Sequence, residues 1–208
     1  MVNITRRSRN PFDLDPPCAE FVPGYGDPNA DFHVIGDHPG RHGGKETGIP
    51  FTRSKSGRAL QQVLEAVGLL AHPGDEPTVA NLYFSYIYLC VDDDEPEPRD
   101  YAEMERFFDA ELRAITAHVL LPVGERAIRQ VLEQYTTDSP DDVDVEAIHA
   151  TEISTGAWLV IPIAEPATWT ADQRDALIDA LETLRRRDYR RESDLGRFNS
   201  GSDPYYVR

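Results

Sequence analysis

Lysine is almost missing from this chain. Of 21 basic residues among 208, only Lys45 and Lys55 are lysine and the rest are arginine, against 37 acidic residues and a formal net charge of −16. A lysine-poor, carboxylate-rich surface suits a cytoplasm of molar salt, where the Debye length falls to about 3 Å and self-repulsion is screened. Such acidity ordinarily argues against a nucleic-acid partner. In molar salt, however, counterion release rewards phosphate contacts little, and binding through stacking and hydrogen bonds remains open. The remaining arginines cluster as Arg6, Arg7 and Arg9, and as Arg185, Arg186, Arg187, Arg190 and Arg191, by default a solvated face or tail.

Cysteine is scarce too. Cys18 and Cys90 make no disulfide framework and no C-x-x-C metal knuckle. Long apolar runs are absent, which excludes a membrane-spanning helix. The N-terminus, MVNITRRSRNPFD, lacks the apolar core of a signal peptide. A soluble, cytoplasmic protein is expected, and a monomer.

Chemistry-bearing residues concentrate in Gly36–Phe51, GDHPGRHGGKETGIPF. An apolar strand, Phe32-His33-Val34-Ile35, precedes it. A helix over Ser56–Leu70 follows, carrying Leu60, Val63, Leu64 and Val67. Further strands are expected at Thr78–Tyr83, His118–Val123 and Trp158–Ile163. Helices then carry Tyr101, Met104, Phe108, Leu112 and Ile115; Ile128, Val131, Leu132 and Tyr135; and Leu177, Ile178, Leu181 and Leu184. Thr170 and Gln173 form a capping box for the last helix. Strand–helix alternation with near-continuous apolar strands predicts an α/β fold, a three-layer α/β/α arrangement around a four-stranded parallel sheet. Open sheets of this kind bind ligands beyond the carboxyl ends of their strands. Residues 1–17 read as an N-terminal arm, 18–188 as the domain and 189–208 as a tail.

These loops, in order, resemble the uracil-DNA glycosylase superfamily, above all its families 4 and 5. The first family motif, G-E-A-P-G or G-L-A-P-G with a glycine-rich stretch, is met by Gly36-Asp37-His38-Pro39-Gly40, Gly43-Gly44, Thr47-Gly48, Phe51-Thr52 and Ser56-Gly57. Asn81 matches the asparagine at the end of the second strand, and Val123-Gly124 matches the third strand's V-G. The last motif, normally H-P-S or H-P-A, is Glu165-Pro166-Ala167 here. The chain is divergent, and haloarchaeal in character by its acidity.

The resemblance implies a central parallel sheet with the site at the strands' carboxyl ends. It implies hydrolysis of the N-glycosidic bond of a flipped uracil or other deaminated base in DNA, single-stranded or duplex, initiating base-excision repair. Such chemistry needs the base extruded and its Watson–Crick edge read, with charge managed at both sugar and leaving group. Asp37 matches the water-positioning carboxylate, and His38 beside it is a general base or a donor to the base. Gly36, Phe51, Asn81 and Glu165 fall at base-binding positions, with Phe51 as the stacking platform and Asn81 as the uracil reader. Ser54, Ser56 and Gly57 are expected to hold a phosphate at a helix N-terminus. Pro166 and Trp169 are the natural wedge that meets DNA. An ionised Glu165 in place of the histidine would repel a departing uracil anion. Glu165 is therefore protonated, or turned away, or relieved by His38; otherwise the chain is a catalytically silent member that binds nucleic acid or a nucleobase.

Family 4 holds a [4Fe–4S] cluster on four cysteines, and such a cluster needs a full thiolate set. Two cysteines predict no cluster and no cofactor. His33, His38 and His42 match no zinc spacing, so no metal is expected. An unrelated nucleotide-binding α/β protein is disfavoured because G-x-G-x-x-G and a P-loop lysine are both missing.

Overall fold

A computed structural model describes residues 8–115, 117–135, 143–155 and 158–186. Arg6, Arg7, Arg187, Arg190, Arg191 and the expected tail lie outside them. Strands β1 (Ser8–Arg9), β2 (Tyr25–Gly26), β3 (Phe32–Gly36), β6 (Leu82–Tyr86), β7 (Val119–Pro122), β9 (Leu159–Val160) and β8 (Ile153–Ser154) form one sheet in the order β1-β2-β6-β3-β7-β9-β8. The inner four, β6-β3-β7-β9, are mutually parallel, and β1, β2 and β8 pair antiparallel at the edges. The expected parallel sheet is present, extended by antiparallel edges; Ser8–Arg9 of the expected arm is one of them.

Alternation along the strands divides the core. Phe32, Val34, Phe84 and Leu121 face one layer, with α2 (Lys55–Ala66) and α5 (Ala171–Arg186) supplying Leu60, Leu64, Leu177 and Leu181. Ile35, Tyr83 and Leu120 face the other, against Met104, Phe108 and Leu112 of α3 (Pro98–Ala114) and Ile128 and Val131 of α4 (Glu125–Tyr135). Buried on both faces, the strands lack the polar alternation of a one-sided sheet. Thr170 and Gln173 make their reciprocal capping bonds, at 2.9 and 3.2 Å, ahead of α5. No described helix is long and apolar enough to cross a membrane.

Two expectations are corrected. The second parallel strand is Leu82–Tyr86, not Thr78–Tyr83: β5 (Thr78–Val79) instead pairs with β4 (Leu70–His72) in a separate two-stranded sheet. The chain breaks between them at Asn81, where φ is +56°. Cys18 and Cys90 are joined in a disulfide across 72 residues of sequence. The bond ties the entering segment, where Phe21 bridges Cys90, to the chain leaving β6.

Candidate active site

The parallel register sets where the site lies. Gly36 pairs with Tyr86 at the carboxyl ends of β3 and β6, so Asp37 is the first residue beyond β3. Only glycine fits before it: a Cβ on Gly36 would lie 2.6 Å from the Tyr86 ring and 2.7 Å from the Phe51 ring. The chain then turns into α1 (Pro39–His42), with proline at its first position, where a missing N–H costs nothing.

Asp37 is buried, and its carboxylate is oriented from α3 and α1. Tyr101 donates its hydroxyl to Oδ1 at 2.6 Å, and Arg41 Nη1 lies 3.9 Å from Oδ2. The Arg126 guanidinium covers the Tyr101 ring at 4.2 Å from its centroid. His38, 8% exposed, is held below its ordinary histidine pKa chiefly by burial, partly offset by the charge of Asp37. It is neutral near pH 7.

His42 is fully buried and joins the two halves of the site. Its Nδ1 accepts the Asp37 N–H at 2.9 Å, leaving Nε2 as the protonated nitrogen, 3.3 Å from Glu165 Oε2. Its ring stacks on Phe51 at 5.4 Å between centroids and 22° between planes. Gly124, with φ of +81°, lets α4 start close by: a Cβ there would lie 3.4 Å from the His42 ring and 3.6 Å from Glu165.

Glu165 follows β9 and caps the 3-10 turn Pro166–Thr168 through Ala167 N–H. Burial pushes its pKa up, but the hydrogen bonds with His42 and Arg41 outweigh this and hold the carboxyl far below the usual carboxylate range. Glu165 is thus ionised, with Oε2 accepting from Arg41 Nε at 2.9 Å. Both of its oxygens act as acceptors, Oε1 taking the Ala167 N–H at 3.3 Å, as suits a carboxylate rather than a donor. A cleft of about 670 Å³ opens beside this cluster, lined by Arg41, Glu95, Tyr101 and Arg126 among others.

Several expected site residues lie elsewhere or point elsewhere. Asn81 precedes β6, at the amino end of the sheet, because the strand starts four residues later than expected. Its Oδ1 accepts Asp31 N–H at 2.7 Å and its Nδ2 donates to Asp31 Oδ2 at 2.9 Å, so it braces a turn at the end of the sheet opposite Asp37. Phe51 is fully buried against His42, Phe84 and Tyr86, leaving no open face for a base. Ser54 spends its hydroxyl on Gly57 N–H and His42 O, while Ser56 and Gly57 are buried, so this helix start offers no phosphate cradle. Pro166 is buried and Trp169 donates its indole N–H inward to Ala164 O at 2.9 Å; neither projects as a wedge. His33 is buried in the sheet on Ser85, apart from His38 and His42. Among the described residues no group of three His, Cys, Asp or Glu side chains is placed to hold a metal ion. The chain's two cysteines are used by the disulfide, so a four-thiolate cluster does not fit.

Arg41, Tyr101 and Arg126 went unnoticed in the sequence as site residues. Tyr101 had a weak signal: it opens the apolar face of its helix yet carries a hydroxyl that burial obliges to find a partner.

The family model for the uracil DNA glycosylase superfamily matches residues 23–185. A type-5 uracil-DNA glycosylase of Thermus thermophilus is 31% identical over 130 residues, covering 60% of this chain and 59% of that protein. One of Pyrobaculum aerophilum is 30% identical over 118 residues, covering 54% and 52%. The match therefore spans a little over half the length of these relatives. With a parallel sheet whose carboxyl ends gather Asp37, His38, Arg41, His42 and Glu165, the chain belongs to the uracil DNA glycosylase superfamily and is related to its type-5 members.

Proposed function

We propose that the chain is a DNA N-glycosylase, acting as a monomer in molar salt, that hydrolyses the bond between deoxyribose and a flipped uracil or other deaminated base. The observation that carries this reading is the buried Asp37 carboxylate, oriented by Tyr101 at 2.6 Å beside a cleft. In the reaction the C1′–N bond breaks with its electron pair on the base, water oxygen bonds to C1′, and one water proton passes to solvent. Asp37 holds that water and faces the cationic character developing at the sugar. Neutral His38 supplies a hydrogen-bonding partner to the water or the base. The products are a free base and an abasic site. Incubation with uracil-containing single-stranded DNA in molar KCl, then alkaline cleavage, tests this. Strand breaks at the uracil are expected, and no breaks with uracil, hypoxanthine or xanthine would overturn the reading.

The ionised Glu165 favours one second reading, a silent member that binds nucleic acid or a nucleobase. There Glu165→His would confer excision on an otherwise inactive protein.

A further inference from the structure

The geometry points to Arg41 as the donor that stabilises the departing base anion, with Glu165 as the positioning residue that holds it. This rests on the glycosylase reading above. Glu165 itself accepts and cannot donate. His42, fully buried, has spent both ring nitrogens, on Asp37 N–H and Glu165 Oε2. Arg41 is different. Glu165 takes only its Nε, at 2.9 Å. Its Nη1 lies 3.9 Å from Asp37 Oδ2, too long for a hydrogen bond. The side chain is 41% exposed and lines two clefts, one with Tyr101 and Arg126, the other with Glu165.

A guanidinium gripped along one edge presents its remaining N–H groups in a fixed plane. Hydrogen bonds from a cation to an anion are roughly twice as strong as neutral ones. The donor is also in place before the charge develops. Glu165, lacking a proton to give, instead supplies the carboxylate that fixes the cation and balances its charge. As the C1′–N bond breaks, the electron pair moves onto the base. Arg41 donates to the oxygen that bears the charge and keeps its proton, since guanidinium does not deprotonate in proteins. The base leaves as an anion and takes its proton from solvent.

The test is single-turnover excision of uracil and of 5-fluorouracil, whose fluorine stabilises the leaving anion, by wild type, Arg41→Gln, Arg41→Lys and Glu165→Gln. Arg41→Gln should slow uracil excision about 100-fold and 5-fluorouracil excision far less. Arg41→Lys should be intermediate, and Glu165→Gln should show the same base dependence, more weakly. Equal losses for both bases, or a loss under about threefold, would overturn the assignment while wild-type activity keeps the glycosylase reading. A wild type that excises neither base overturns both.

Discussion

The Tyr101 hydroxyl donates to Asp37 Oδ1 at 2.6 Å across 64 residues of sequence, from the first turns of α3 to the residue after β3. This bond fixes one carboxylate oxygen and leaves the other beside Arg41. Tyr101→Phe keeps the ring packing under Arg126 and against Tyr88 and removes only the donor. A hydrogen bond to a charged group contributes about 1.5–3 kcal/mol. Single-turnover kinetics should show a rate lowered about 10-fold or more, with DNA affinity little changed.

Asn81→Ala separates bracing from base reading. It loses the bonds to Asp31 and places alanine at a φ of +56°, costing about 2 kcal/mol together. A thermal midpoint lower by several degrees is expected, with uracil excision within twofold of wild type. A specific loss of uracil excision in a fully folded variant would restore Asn81 to the site.

Much of the fold was legible because the parallel strands are apolar on both faces and helices alternate with them. The second strand was misplaced for a physical reason. Thr78-Val79 and Leu82 to Cys90 are mostly β-prone, and the break between them at Ala80-Asn81 carries no glycine or proline. That four-residue error moved Asn81 from one end of the sheet to the other. Asp37 and Glu165 were found through motif spacing, but their partners were not. Tyr101 reaches Asp37, and Arg41 reaches Glu165, only once β3, β9 and α3 are packed, and two isolated cysteines 72 residues apart declare no pairing.

Glu111 of α3 is fully buried with Tyr83 donating to its Oε1 at 2.6 Å, and burial pushes its pKa up to about 7. Between 4.5, its ordinary value, and about 7 the unfolded chain has lost a proton that the folded chain keeps. Stability from this group therefore falls as pH rises through that window, by about 3 kcal/mol in all. His33 acts oppositely. Burial lowers it from 6.5 to about 3, so its contribution is lost as pH falls through that range. Glu111→Gln should gain on wild type as pH rises from 5 to 7.5 in urea unfolding; a constant difference would contradict this.

The Cys18–Cys90 bond closes a long loop of the unfolded chain and should contribute about 2–4 kcal/mol. Thiol titration of denatured protein should find no reactive thiol before reduction and two after it. Cys18→Ser should lower the thermal midpoint accordingly, with excision retained, since neither sulfur lines the cleft.

The most direct measurement is uracil excision from single-stranded DNA in molar KCl by wild type and Asp37→Asn, read as alkali-labile abasic sites. An Asp37-driven glycosylase gives strand breaks at the uracil with wild type, and at least a 100-fold slower rate with the variant. A wild type that leaves the DNA intact, or an Asp37→Asn variant that excises at the wild-type rate, would contradict it.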